Sequence, residues 1–139
     1  MHRVIVTTII CLIATTAFAA EALNSDVKET IATKSGLQYT SLREGTGANP
    51  KPTDTVSVHY RGTLLNGREF DSSYKRGRAT DLQLNNVIKC WTEGLQMMKV
   101  GGKANLVCPS TIAYGDAGIV GSVPRFATLI FDVELLAIR

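Results

Sequence analysis

The sequence predicts an α+β domain in which one antiparallel sheet is covered by a single short helix. Two observations carry this prediction. Apolar residues alternate with polar ones in several segments, as they do in half-buried strands, and one segment repeats its apolar residues at helical spacing. The chain has 139 residues, of which 45% are hydrophobic and 19% charged, which suits one domain with its own core.

Four strands are predicted along the chain. The first, residues 37–42, is a short strand candidate. The other three occupy residues 56–60, 104–108 and 129–135, where apolar side chains recur at every second position. The dipeptide Asn66-Gly67 lies between Leu64-Leu65 and Glu69-Phe70, and Asn-Gly favours the positive φ angles of a type I′ turn. We therefore expect a hairpin at this point, closed by a turn of that type.

The helix is predicted over residues 91–98. Trp91, Leu95 and Met98 recur at i, i+4 and i+7 and form one apolar stripe, and Gly101-Gly102 ends the segment. An antiparallel sheet needs one face covered. We therefore expect this helix to lie across the concave side of the sheet.

The first segment has the features of a secretory signal peptide. Arg3 precedes the apolar run 4–20, which ends in the small-residue pattern Ala17-Phe18-Ala19. We interpret residues 1–19 as the signal peptide, so the mature protein would be periplasmic or secreted. A stable membrane anchor is the alternative, and we disfavour it because about 20 apolar residues are needed to cross a bilayer.

The rest of the chain divides into an arm and a compact domain. Residues 20–34 are small and polar, and we interpret them as an N-terminal arm. The domain then occupies residues 35–139. It contains Cys90 and Cys108, for which we favour a disulfide, since an exported protein folds in an oxidising compartment. Two buried free thiols are the alternative.

Composition and motifs disfavour several classes of function. The formal net charge is only +3, whereas nucleic-acid binding calls for a dense basic face, and we interpret Lys75–Arg78 as a solvated loop. The cysteine spacing fits neither a zinc site nor a C-x-x-C pair. His59 is the one histidine after the leader, so a Ser–His or Cys–His nucleophile is not supported. We expect no metal and no cofactor.

Four separated blocks of residues resemble the FKBP-type peptidyl-prolyl cis-trans isomerases, in particular the exported bacterial branch related to macrophage infectivity potentiator. The blocks are 58–62 with 67–73, 87–95, 113–115 and 127–136. The resemblance extends over residues 35–139. It implies an antiparallel half-barrel sheet of five to six strands wrapped around one short helix. The long dimerising arm of some relatives is missing, so we expect a monomer.

The resemblance also implies an apolar cleft that binds proline between helix and sheet. The residues implied in catalysis are Tyr60, Phe70, Asp71, Tyr114 and Phe131. Those implied in substrate binding are Leu82, Val87, Ile88, Trp91 and Val123. Trp91 would form the floor beneath the proline ring, and the Ile88 N–H and the Tyr114 hydroxyl would hold substrate carbonyls. Taken singly, each aromatic residue could instead belong to the core.

Such a cleft suits the chemistry of prolyl isomerisation. Cis and trans X-Pro amides differ little in energy, but a barrier of about 18–20 kcal/mol separates them. Twisting the C–N bond removes the charge separation of the planar amide, so an apolar cleft favours the transition state over the ground state. The expected activity is isomerisation of X-Pro bonds during the folding of exported proteins, with proline-containing polypeptides and macrolides of the tacrolimus or rapamycin type as partners.

Some positions depart from the pattern of the family. Thr80 and Leu82 stand where the family commonly has an aromatic residue, and Ser122 and Arg125 change the loop that touches the residues flanking proline. We expect altered sequence preference rather than lost chemistry. The alternatives are a non-catalytic module that binds peptides or macrolides through the same cleft, and a chaperone-like holdase.

Overall fold

The computed structural model describes residues 28–139. The signal peptide 1–19 and residues 20–27 of the arm lie outside the described residues. The seven strands are β1 (Thr30–Ala32), β2 (Gln38–Arg43), β3 (Thr55–Leu64), β4 (Glu69–Ser72), β5 (Thr80–Gln83), β6 (Lys103–Cys108) and β7 (Leu129–Ile138). The helix α1 comprises Lys89–Gln96, and two short 3₁₀ turns comprise Leu84–Asn86 and Ser110–Ile112.

All seven strands form one antiparallel sheet, which is open and wraps around α1. The strand order is β1-β2-β6-β7-β3-β4, and β5 also pairs with β3. The α+β class and the wrapped antiparallel sheet are therefore confirmed, with one strand more than the expected five to six. One of the seven, Thr30–Ala32, lies within the segment interpreted as an arm, where Thr30 pairs with Thr40 of β2.

The two long central strands supply most of the concave face. In β3, Val56, Val58 and Tyr60 are buried, as the alternating pattern predicted. Tyr60 lies opposite Val133 of β7, and Gly62 lies opposite Phe131. Since residues two apart share a face of a strand, this register places the Tyr60 and Phe131 side chains on the same side of the sheet.

The helix begins and ends two residues earlier than predicted. Its apolar stripe is buried as expected, and Met98 still packs into the core just after the last turn. Gly94 allows a close approach to the sheet, because a Cβ atom there would lie 2.9 Å from Cδ2 of Leu106. The helix therefore lies directly on β6.

A disulfide joins Cys90 in the first turn of α1 to Cys108 at the end of β6, with 5.9 Å between the Cα atoms. Both residues are fully buried. The bond therefore connects the helix to the sheet next to Trp91.

The hairpin between β3 and β4 is present, but its turn is not type I′. Among the described residues Phe126 is the one non-glycine residue with a positive φ, so Asn66 lacks the angle that a type I′ turn needs. Gly67 alone adopts it (φ 85°) and donates to the Leu64 carbonyl. The Asn66 side chain instead accepts a hydrogen bond from the Arg68 N–H. This local bond stabilises the longer turn.

Candidate active site

A cleft of about 430 Å³ opens between α1 and the concave face of the sheet. Its lining residues are Tyr60, Phe70, Asp71, Leu82, Asn86, Val87, Ile88, Trp91, Tyr114 and Phe131. Nine of the ten residues that the sequence analysis assigned to catalysis or substrate binding are among them. The structure therefore brings together side chains that are up to 71 positions apart (60 to 131) along the chain.

Three edge-to-face contacts hold the aromatic rings of the cleft in place. The Trp91 ring lies 4.9 Å from Tyr60 and 5.3 Å from Phe131, measured between ring centroids, and both rings stand nearly perpendicular to the indole. Phe70 meets Phe131 in the same manner at 5.6 Å. Such contacts are a favoured geometry for aromatic pairs. Trp91 is only 4% exposed, which gives the cleft a rigid apolar floor.

Gly62 on β3 makes room for two of these rings. A Cβ atom at this position would lie 2.6 Å from Cζ of Phe70 and 2.8 Å from Cε1 of Phe131. Both rings therefore pack directly over the β3 backbone. The sequence analysis did not single out Gly62, because the requirement for a small residue arises from rings on β4 and β7.

A polar network around Asp71 lies at the rim of the cleft. Tyr60 donates a hydrogen bond of 2.5 Å from its hydroxyl to Oδ2 of Asp71. Arg76 donates at 2.5 Å from Nη1 to the other carboxylate oxygen and at 2.9 Å from Nη2 to the Tyr60 hydroxyl. The Arg76 guanidinium also lies over the Tyr60 ring, 5.6 Å from its centroid.

Arg76 is a rim residue whose contacts sequence reasoning missed. We had interpreted the run of four residues that contains it as a solvated basic loop. All four residues are exposed, but Arg76 pairs with Asp71, and Lys75 pairs with Glu69 at 2.9 Å. The turn after β4 brings Arg76 back toward Asp71, five positions earlier. The one signal in the sequence was the position of Asp71 five residues before Arg76. Hydrophobic periodicity does not detect an ion pair of this kind.

The network controls the protonation of Asp71. Burial by itself would raise the pKa of Asp71, but the hydrogen bonds from Tyr60 and Arg76 together lower this pKa below its ordinary value. Burial, together with the hydrogen bond to Asp71, raises the pKa of Tyr60. The rim therefore carries an ionised carboxylate and a neutral phenol at neutral pH.

Two hydrogen-bond donors at the walls of the cleft are unused among the described residues, in addition to the buried indole N–H of Trp91 at its floor. Ile88 is the residue just before α1, with φ −56° and ψ 148°. Within residues 28–139 its N–H donates to no other group, nor does the Tyr114 hydroxyl. The segment before the helix is held by Thr92, whose hydroxyl donates to the Leu84 carbonyl at 2.6 Å. Both donors are therefore free to donate to acceptor groups of a ligand in the cleft.

Two residues lie elsewhere than the sequence analysis expected. Val123 does not line the cleft: its backbone pairs with Ile119 in the loop before β7, and its side chain is 96% buried (4% exposed) in the core. That tight pairing turns the side chain inward, so the substrate-binding assignment of Val123 is not supported by its position. Asn86 lines the cleft although it was not predicted, and its side chain donates to Gln83.

The remaining candidates for chemistry have structural roles. His59 contacts the Ser73 hydroxyl through Nδ1 at 2.8 Å and stacks on Tyr74, with 4.7 Å between ring centroids. In residues 28–139 no three side chains of the metal-binding types are grouped. That part of the chain also has no helix long and apolar enough to span a bilayer.

Comparison with known proteins agrees with this geometry. Residues 47–136 match the family model described as FKBP-type peptidyl-prolyl cis-trans isomerase. The chain is 54% identical over 121 residues to the isomerase FkpA of Aeromonas hydrophila, and this alignment covers 87% of the chain and 44% of that protein. It is 51% identical over 104 residues to FkpA of Escherichia coli K12, and this alignment covers 75% of the chain and 38% of that protein. The chain thus spans less than half the length of these two curated relatives.

Solved structures extend the likeness to the three-dimensional level. The crystal structure of FkpA from Escherichia coli matches with a TM-score of 0.78 and 45% identity, over 85% of this chain and 55% of that one. An isomerase from Pseudomonas syringae pv. tomato matches with a TM-score of 0.75 and 35% identity, over 84% of this chain and 86% of that one. With the cleft, its aromatic floor and the matched residues in agreement, the chain belongs to the family of FKBP-type peptidyl-prolyl cis-trans isomerases.

Proposed function

We propose that this protein is a prolyl isomerase that accelerates cis–trans exchange of X-Pro bonds while exported proteins fold. The observation that carries the proposal is the open apolar cleft whose floor is the Trp91 indole and whose rim holds the ionised carboxylate of Asp71. Uncatalysed exchange takes about 10–100 s at room temperature, so a catalyst removes a slow step of folding.

The mechanism follows from the polarity of the cleft. A proline ring seated on Trp91 would be enclosed by Tyr60, Phe70 and Phe131, which exclude water from the prolyl amide. The planar amide is more polar than the twisted one, so an environment poor in water disfavours the ground state more than the transition state. A 10⁴-fold acceleration requires about 5.5 kcal/mol, and neither a covalent intermediate nor proton abstraction is needed.

The polar residues have orienting and electrostatic roles in this proposal. The Ile88 N–H and the Tyr114 hydroxyl would hold the substrate carbonyls on either side of the rotating bond. Asp71 would act through its charge rather than as a general base, because its lowered pKa makes it a weak base. Tyr60 and Arg76 hold both of its oxygens in place.

We also propose that the protein works in the periplasm or outside the cell. The apolar leader supports this location, as does the buried disulfide between Cys90 and Cys108, because disulfides persist in oxidising compartments. Its partners are then proline-containing polypeptides. Macrolides of the tacrolimus or rapamycin type are proposed as further ligands, since an apolar cleft with two free donors suits a large apolar ring that carries carbonyl groups.

The test is a peptide-exchange assay with an Ala-Leu-Pro-Phe substrate. We expect the purified protein to accelerate exchange well above background, and Phe70→Ala and Asp71→Ala each to lower kcat/KM. A protein that binds the peptide but gives only the background rate would overturn the isomerase proposal and leave a binding module. Binding is read from the fluorescence of Trp91, the one tryptophan in the chain.

A second candidate function is chaperone-like holding of unfolded chains. It is favoured by Leu65 at the tip of the β3–β4 hairpin and Phe126 before β7, which are 71% and 65% exposed and line the same shallow recess. The double variant Leu65→Ser/Phe126→Ser should then lose the ability to suppress aggregation of a client without proline. Wild-type protein that does not protect such a client would rule out this function.

A further inference from the structure

A recess of about 690 Å³ opens beside the cleft, and the proposed isomerisation does not use it. Its lining residues are Ser57, Tyr60, Arg76, Arg78, Ala79, Thr80, Asp81 and Arg139. Tyr60 lines both spaces. The recess therefore adjoins the space in which the proposed substrate proline would lie.

The walls of the recess differ in chemistry from those of the cleft. Three guanidinium groups and one carboxylate line it, together with the hydroxyls of Ser57 and Thr80. The short side chain of Thr80 accepts a hydrogen bond from Arg76 and leaves the space open. The cleft suits an apolar ring, whereas the recess suits a charged or polar side chain.

One guanidinium group of the recess has no carboxylate partner. Arg76 is paired with Asp71, and Arg139 faces Asp81 at 3.8 Å. Arg78 is exposed and forms neither an ion pair nor a side-chain hydrogen bond with any residue of the described range 28–139. Its guanidinium is therefore available to a negatively charged group of a ligand.

We propose that this recess is a subsite for an acidic side chain that flanks the substrate proline, with Arg78 as the residue that binds the carboxylate. The inference rests on the proposed isomerase function and adds a substrate preference to it. The carboxylate of an aspartate or glutamate would form an ion pair with the unpaired guanidinium of Arg78. A lysine would instead be repelled by the three arginine side chains of the recess. Charge complementarity of this kind selects among partners more than it raises overall affinity.

The test compares peptides that differ at one position. Glutamate, glutamine and lysine are placed in turn at each of the two positions before the proline and each of the two positions after it, and kcat/KM is measured at low and high salt. At one position we expect the glutamate peptide to exceed its glutamine counterpart by about two- to five-fold, the effect of one partly exposed ion pair. Because salt screens such a pair, the preference should shrink at about 0.5 M salt.

Substitutions of Arg78 test whether the recess causes the preference for the glutamate peptide. Arg78→Gln should reduce the ratio of glutamate to glutamine peptide toward one, and Arg78→Glu should shift the preference toward the lysine peptide. Lys99→Gln is the matched control, since it removes one positive charge from an exposed position that lines neither space, and it should keep the wild-type ratio.

The outcomes separate the two proposals. Turnover of the glutamine peptide without any preference for glutamate would overturn the acidic subsite alone. An equal loss for all three peptides in Arg78→Gln would do the same, since it would indicate a role in the structure of the loop. No turnover of any peptide would overturn the isomerase function itself.

Discussion

The hydroxyl of Tyr60 donates a 2.5 Å hydrogen bond to Oδ2 of Asp71 across the rim of the cleft. The two residues come from paired strands, and Arg76 contacts both of them. Tyr60 therefore has two tasks: its ring packs on the edge of Trp91, and its hydroxyl positions the carboxylate. The first task needs only an aromatic ring, whereas the second needs tyrosine.

Replacing Tyr60 with phenylalanine separates these two tasks. Tyr60→Phe keeps the ring against Trp91 but removes one of the hydrogen bonds to Asp71, while the ion pair with Arg76 remains. We expect kcat/KM for an X-Pro peptide to fall by about three- to ten-fold, the worth of one partly exposed hydrogen bond to a charged group. The measurement is the peptide-exchange assay, with thermal unfolding to show that the fold is intact.

Tyr39→Phe is the matched control for this variant. Tyr39 is also a largely buried tyrosine of the sheet, but it does not line the cleft. It should retain wild-type kcat/KM. Equal activity of Tyr60→Phe and wild type would show that the hydrogen bond to Asp71 has no part in the reaction.

The lowered pKa of Asp71 predicts a flat pH profile around neutrality. Asp71 stays ionised above its ordinary pKa of about 3.9, and Tyr60, whose pKa is raised, keeps its proton to beyond about pH 10. We therefore expect kcat/KM to be constant between about pH 5 and 9 and to decline only as the pH falls through the lowered pKa of Asp71.

An assay without a coupling protease checks this profile, because a protease has its own pH dependence. Asp71→Asn should show lower activity and no decline on the acid side above the pH at which the protein unfolds. An inflection of the wild-type profile between about pH 6 and 7 would contradict the assignment of the decline on the acid side to Asp71.

Gly62→Ala should damage the cleft by displacing its rings. The added methyl group would collide with Phe70 and Phe131, and overpacking of this kind costs about 1–3 kcal/mol of unfolding free energy. Since the rings can relieve the collision by moving into the open cleft, we expect KM for the peptide to rise by at least about five-fold. Kinetics and urea unfolding measure the two effects.

Gly94→Ala serves as the control for crowding itself. Its methyl group would press on Leu106, between helix and sheet but outside the cleft-lining residues. It should lower stability while leaving KM nearly unchanged. An unchanged KM in Gly62→Ala would mean that the rings keep their places and that the glycine serves packing alone.

The disulfide between Cys90 and Cys108 should stabilise the domain measurably. It closes a loop with a sequence separation of 18, for which the chain-entropy relation gives about 3 kcal/mol. Dithiothreitol should therefore lower the unfolding free energy of the wild type by about this amount. Urea unfolding with and without reductant provides the measurement.

The double variant Cys90→Ala/Cys108→Ala is the control for the reductant. It should unfold at lower urea concentration than oxidised wild type and should not respond to dithiothreitol. If the stability of the wild type is equally unaffected by dithiothreitol, the disulfide is not present in the folded protein.

Local patterns predicted the longer elements of the fold correctly and missed two of the short strands. Strands β3, β6 and β7 bury every second side chain against the helix, so hydrophobic alternation reveals them. Strand β1 is exposed at all three residues, and β5 buries none fully. These two exist because their backbones pair with a neighbouring strand, which no local apolar pattern records.

The amino-acid sequence alone determined the class of the fold, the helix of the described domain and all five aromatic residues of the cleft, because burial imposes a periodicity and the family resemblance names the ring positions. Only the tertiary structure decided that Arg76 and Asp71 form one network, that Gly62 underlies two rings, and that Val123 faces the core. Each of these depends on where side chains from different strands and turns meet, and that is set by strand register and turn geometry rather than by any local sequence pattern.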